Sequence, residues 1–225
     1  SGVVPNTKWK KKFIGQNWYI GETLHSGIGQ GYFQSTPLQL CLMTAQIANG
    51  GYEIKPRIIF ENKKDYLKDY LDFKSKNPQE TLPSELLVKN LNLKPLFKNQ
   101  KNINIVKDAM FSSSNEPGGT SYRHRIENPK YTFAGKTGSS QVKRFTEAQR
   151  EAEVKQTDLN YKDRDHALFV AFAPYKDPKY AISVVVEHGG SGGSAAAPLA
   201  KKIIKKVIER HDLRKEINYS KGGSV

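Results

Sequence analysis

The chain has 225 residues and a mass of 25.3 kDa, enough for one sizeable domain with a packed core. Hydrophobic residues make up 37%, charged residues 26% and the mean hydropathy is -0.64, while the longest apolar run, residues 167–174, is far too short to cross a bilayer. A single cysteine, Cys41, excludes an internal disulfide or a cysteine-based metal cluster, and the net charge of +14 comes without zinc-finger spacing, an RNP-type aromatic strand or a phosphate-binding loop, so nucleic acid is not an expected partner.

Residues 1–24 carry a basic stretch at 8–12 and four aromatics without a clean period, which predicts loop plus a short helix. The glycine-rich SGIGQG at 26–31 predicts a tight turn. Thr36 is a good N-cap, Pro37 suits the first helical position and Gln39 completes a capping box, so a helix is expected over 37–49, stopped by Gly50 and Gly51. Residues 61–102 are rich in Lys, Asn and Asp, include a tandem KDYL at 64–71, and read as a polar excursion. A helical pattern returns over 103–112, with Ile105, Ala109 and Met110 assigned to one face, and ends at Pro117-Gly118-Gly119.

Residues 131–141 have β character. A charged connection with a short helical EAQREAEV stretch at 147–154 follows. Segments 166–173 and 180–187 are rich in β-branched and aromatic residues and flank the turn material at 174–178, which predicts an antiparallel hairpin. Ala200, Ile203, Ile204, Val207 and Ile208 then form an apolar helical stripe opposite four lysines. The expected architecture is α/β of the α+β type: strand 133–139 in one mainly antiparallel sheet with 166–173 and 180–187, covered by a helix over 195–209.

Four blocks carry a resemblance: SGIGQGYFQSTPLQL at 26–40, FAGKTGSSQV at 133–142, HALFVAFAP at 166–174 and EHGGSGGSAAAPLAKKI at 187–203. In that order they resemble class B penicillin-binding proteins, in particular the penicillin-binding protein 2 type of rod-shape or elongation transpeptidase. The resemblance implies the penicillin-binding/serine β-lactamase-like fold. It implies a D,D-transpeptidase that cross-links peptidoglycan through a serine acyl-enzyme, takes stem peptides ending in D-Ala-D-Ala, binds β-lactams and works with cell-wall elongation proteins. It implies no cofactor, and a place on the periplasmic face of the inner membrane, anchored by a segment outside this chain.

The family uses three motifs: a serine-x-x-lysine nucleophile, a serine-x-asparagine and a KTG strand. Only the last is matched, at Lys136-Thr137-Gly138. The S-x-x-K match at Ser140–Lys143 falls in a predicted strand, where a spacing of three puts the two side chains on opposite faces. The S-x-N matches at Ser75-Lys76-Asn77 and Ser113-Ser114-Asn115 follow the GIGQG block, where the family's motif precedes it, and read as solvated loop or helix end. The resemblance therefore implies that residues 1–215 are the C-terminal part of a transpeptidase domain, with a flexible tail over 216–225, and that the nucleophile lies outside the chain.

On this reading Lys136, Thr137, Gly138 and Ser139 bind substrate. Lys136 supplies the fixed cation for the terminal carboxylate. Thr137 and Ser139 share one strand face and present hydroxyls, and Gly138 lets substrate backbone approach. The resemblance assigns the Ser139 main-chain amide to the oxyanion hole. The family's usual threonine-alanine after KTG is replaced by Ser139-Ser140, which keeps a hydroxyl at the first position. His166 reads as a packing or hydrogen-bonding residue, and no histidine pair has metal-ligand spacing, so no metal is expected. Rivals are a serine β-lactamase or D,D-carboxypeptidase, which shares KTG but not the GIGQG–TPLQL block, and a nonenzymatic basic binding module.

Overall fold

The computed structural model describes residues 2–56, 94–143 and 154–221. Most of the expected excursion at 61–102, the Ser75–Asn77 match and nearly all of the EAQREAEV stretch lie outside these residues.

Two short helices open the chain where one was expected: α1 (Thr7–Phe13), capped by the Asn6 side chain accepting from Trp9 N–H at 2.9 Å, and α2 (Ile20–Gly27). Helix α2 takes in Ser26 and Gly27, so the turn predicted for the whole of 26–31 is confined to its last part. There Gly29 and Gly31 adopt φ of +77° and +89°. Ile20, Leu24 and Ile28 face solvent as a stripe at i, i+4, i+8.

Helix α3 (Pro37–Ala48) forms as its caps predict. Thr36 Oγ1 accepts from Gln39 N–H at 3.2 Å, Gln39 Oε1 accepts from Thr36 N–H at 2.9 Å, and Gly50 and Gly51 turn the chain away at positive φ. Helix α4 (Gln100–Asn115) is longer than its sequence pattern, and its inward face differs from the one expected. Ile103, Met110 and Ser114 are buried, whereas Ile105 and Ala109 are exposed.

The sheet has three antiparallel strands in the order β1 (Ala134–Ser140), β2 (His166–Ala173), β3 (Tyr180–Val186). Register places Thr137 opposite Phe169 and Ser139 opposite Ala167, and Ala173 opposite Tyr180 in the hairpin. Strand β2 is apolar almost throughout because it is central and covered on both faces. On one face Ala167, Phe169 and Ala171 join Phe133 beneath α5 (Ala197–Lys221), which buries Ala197, Ala200, Ile204 and Ile208. The Phe133 and Phe169 rings meet edge to face at 5.9 Å. On the other face Phe172 and Ala134 pack with Ala48 of α3 and Met110 of α4. The expected sheet and covering helix are thus present. Helix α5 also extends through Lys221, into the segment read as tail, and a π turn at Gly192–Ala196 leads into it. Among the described residues no helix is long and apolar enough to cross a membrane.

Candidate functional site

Among the described residues strand β1 is an edge strand, and its register decides which main-chain groups face outward. Asn115 Nδ2 donates to Phe133 O at 2.8 Å, Ser114 Oγ to Gly135 O at 3.3 Å and Lys136 Nζ to Thr137 O at 2.8 Å. The first two donors lie on α4 and the third is a side chain, so none is a main-chain group of the β1–β2 ladder. In an antiparallel ladder the N–H and C=O of one residue point to the same side. The odd-numbered residues of β1 therefore turn their main chain away from β2, and the two-residue repeat brings the Ser139 N–H to the same open edge.

Lys136 projects from the face opposite Thr137 and Ser139, as alternation requires. Its ammonium nevertheless folds back to the open edge through the bond to Thr137 O. The residue is exposed, and among the described residues no carboxylate pairs with it. A cation, a strand amide and a hydroxyl face thus share one edge. Thr137 Oγ1 lies 2.9 Å from Thr120 Oγ1, which lies 3.3 Å from Ser113 Oγ, so three hydroxyls form a chain. Ser139 Oγ donates to Gly190 O at 3.3 Å.

The glycine-rich turn after β3 walls this face. A Cβ on Gly192 would collide with Leu168 O and lie 2.6 Å from Gly138 O, so only glycine lets the turn rest on the β1–β2 ladder. A Cβ on Gly193 would likewise come within 2.9 Å of Thr120 O. By contrast, a Cβ built at Gly29 or Gly31 would meet no described atom within 4 Å beyond its chain neighbours, and both residues have positive φ, which makes them conformational elements of a turn leading toward α3.

Sequence reasoning missed the brace behind β1. Ser113-Ser114-Asn115 ends α4 as expected, but it is not solvated. Ser114 is fully buried, bonds Ser121 Oγ at 3.0 Å, and with Asn115 holds the Phe133 and Gly135 carbonyls. The available signal was the repeat of small hydroxyl residues on either side of the Pro117-Gly118-Gly119 break. The Ser140–Lys143 match is inert in form: Ser140 ends β1, and Lys143 Nζ is paired with Asp163 Oδ2 at 3.1 Å. His166 Nδ1 accepts from His188 N–H at 2.9 Å, a structural bond.

The penicillin binding protein transpeptidase domain matches residues 2–205. The chain belongs to that family. Among its relatives is the peptidoglycan D,D-transpeptidase MrdA of Salmonella typhimurium strain SL1344, 31% identical over 208 residues, covering 92% of this chain and 30% of the relative. MrdA of Acinetobacter baumannii is 34% identical over 204 residues, covering 90% and 26%. Among solved structures, penicillin-binding protein PBP2 of Helicobacter pylori in complex with MreC aligns with a TM-score of 0.67 at 33% identity, over 92% of this chain and 31% of that one. Pseudomonas aeruginosa PBP2 in complex with WCK 5153 aligns with a TM-score of 0.62 at 30% identity, over 91% and 38%. The chain spans about 30% of the length of the first of these curated relatives. As a transpeptidase-domain chain it has the expected α+β architecture, with KTG on the edge strand of its sheet.

Proposed function

We propose that this chain forms the substrate-carboxylate wall of a peptidoglycan D,D-transpeptidase of the PBP2 type, and that the serine nucleophile and its lysine are supplied by a segment outside these 225 residues. The observation that carries the proposal is the convergence at the open edge of β1 of the Lys136 ammonium and the outward Ser139 N–H, beside the Thr137 hydroxyl. Lys136 binds the terminal carboxylate of a D-Ala-D-Ala stem peptide, Thr137 and Ser139 hydrogen-bond it, and Gly138 admits the peptide backbone. The Ser139 amide stabilises the oxyanion formed when the serine attacks, a donor whose loss costs roughly 3–4 kcal/mol. The same groups accept the carboxylate of a β-lactam. We place the protein on the periplasmic face of the inner membrane, held by an anchor outside this chain and assembled with elongation proteins. The MreC complex of the H. pylori relative supports that choice of partner class.

The test is a turnover assay on the full-length protein with a pentapeptide donor and an amine acceptor. Expected are release of one D-alanine per bond formed and a cross-linked product detected by mass spectrometry. Release without capture of the acceptor would point to a carboxypeptidase, and no release would sink the proposal.

A further inference from the structure

Outside the KTG residues, one hydrogen-bonded ring closes around Ser139. Ser139 Oγ donates to Gly190 O at 3.3 Å, Gly190 N–H donates to Asp165 O at 2.8 Å, and Val142 N–H donates to Asp165 Oδ1 at 3.1 Å. The covalent run from Ser139 to Val142 completes the circuit. Asp165 therefore grips the exit of β1 through its carboxylate and the glycine turn through its carbonyl. The first grip lies three residues from Ser139, and the second is one hydrogen bond from the Ser139 hydroxyl.

The carboxylate is itself held. Gln156 Nε2 donates to Asp165 Oδ2 at 3.0 Å, while Gln156 Oε1 accepts from Asp165 N–H at 2.8 Å. Arg164 braces the turn that presents Gln156, donating from Nε to Leu159 O at 3.1 Å and from a terminal nitrogen to Thr157 O at 3.3 Å. His188, at φ 53°, sends its N–H to His166 Nδ1 at 2.9 Å, and its own Nδ1 bonds Arg164 O at 3.0 Å. The turn after β3 is thus tied at consecutive points to 164–166. The closure thus falls beside a strand position whose amide faces the open edge.

We propose that Asp165, oriented by Gln156, is a positioning residue for the Ser139 amide. It fixes the exit of β1 and the Gly190 turn so that the amide keeps its direction while charge develops on the substrate oxygen. This inference rests on the proposed transpeptidase reading of the site. Misplacing an oxyanion donor by a fraction of an ångström slows the chemical step far more than it weakens ground-state binding.

The test uses the full-length protein and its Asp165→Ala, Asp165→Asn and Gln156→Ala variants in two measurements. Stopped-flow acylation by a reporter penicillin separates the pre-acylation Kd from the acylation rate constant. Amide hydrogen exchange is followed in parallel over 139–142 and 189–191. Asp165→Ala should slow acylation by about ten- to a hundred-fold with Kd changed by less than about three-fold, and speed exchange in those two segments alone. Asp165→Asn keeps an acceptor for Val142 N–H and should be intermediate. Gln156→Ala should shift both readouts in the same direction by less. Unchanged exchange at 139–142 in Asp165→Ala would overturn the proposal, as would faster exchange with acylation intact, or protection lost across the whole sheet. A wild-type protein that no penicillin acylates would instead sink the transpeptidase reading, and the exchange measurement would still decide whether Asp165 holds the strand.

Discussion

At Lys136 the enzymatic and the merely structural readings give opposite results. The side chain is exposed and, among the described residues, makes one hydrogen bond, to the neighbouring carbonyl of Thr137. A solvated strand lysine of this kind changes stability by no more than roughly 0.5 kcal/mol when truncated. If its ammonium meets the substrate carboxylate as the acyl-enzyme forms, Lys136→Ala in the full-length protein should slow acylation by at least about ten-fold, each factor of ten being about 1.4 kcal/mol. Lys136→Arg should be impaired too, because a planar fork distributes its donors differently from a compact ammonium. Acylation rates measured beside melting temperatures decide the matter, and near-wild-type acylation in Lys136→Ala would remove the chemical support for the assignment. The KTG residues were legible because the motif is contiguous and its alternation fixes which side chains share a face. Ser114, Asn115 and Asp165 were not, since each acts on a main-chain group distant in sequence, and nothing in a local pattern reports that bond.

Among the elements, legibility followed the locality of the forces. Helix α3 was readable from Thr36, Pro37, Gln39 and Gly50 because a cap is satisfied within four residues. The β2–β3 hairpin was readable because a central strand buried on both faces must be apolar throughout. The inward face of α4 was misread because Lys107 sits in it. Its ammonium donates to Ala48 O at 3.3 Å and lies 6.0 Å from the centre of the Phe172 ring, with burial holding its pKa down, so a charged residue interrupts the apolar stripe joining Ile103 to Met110. Lys10 defeated the sequence in the same way. It sits in a basic run yet is buried between α1 and α2, pairing with Glu22 Oε1 at 2.6 Å and donating to Asn17 O at 2.7 Å. Glu22 also caps α2 by accepting from Tyr19 N–H at 2.8 Å. The Lys10 hydrogen bond first, then the Tyr19 amide, hold the Glu22 carboxyl below its ordinary value. A carboxyl depressed on folding stabilises the fold above its unfolded pKa, and that contribution is lost as pH falls through the folded value. Glu22→Gln should therefore lower the melting temperature at pH 6, with the gap to wild type closing as pH drops below about 4. No gap at pH 6, or a gap that persisted undiminished at low pH, would show that the Glu22 charge is not what stabilises the fold.

For the molecule as a whole, the decisive fact is what its sequence pairs with the KTG strand. Acyl transfer needs a serine whose hydroxyl is activated by a base on the same face, with the oxyanion donors about 3 Å from the reacting oxygen. The chain's one S-x-x-K match cannot supply this, because Ser140 ends a strand and Lys143 is engaged with Asp163 at 3.1 Å. Among the described residues the hydroxyls nearest the KTG edge are also committed: Thr137 to Thr120, and Ser139 to the Gly190 carbonyl. None of these hydroxyls has a lysine ammonium within hydrogen-bonding distance. The 225-residue chain on its own should thus fail to form a covalent adduct with a fluorescent penicillin on a denaturing gel, whereas the full-length protein should label once, at a serine outside these residues. Mass spectrometry of the labelled peptide identifies the site. Stoichiometric labelling of the isolated chain would show that one of its own serines is nucleophilic, and the division of labour proposed between this wall and an external nucleophile would fall.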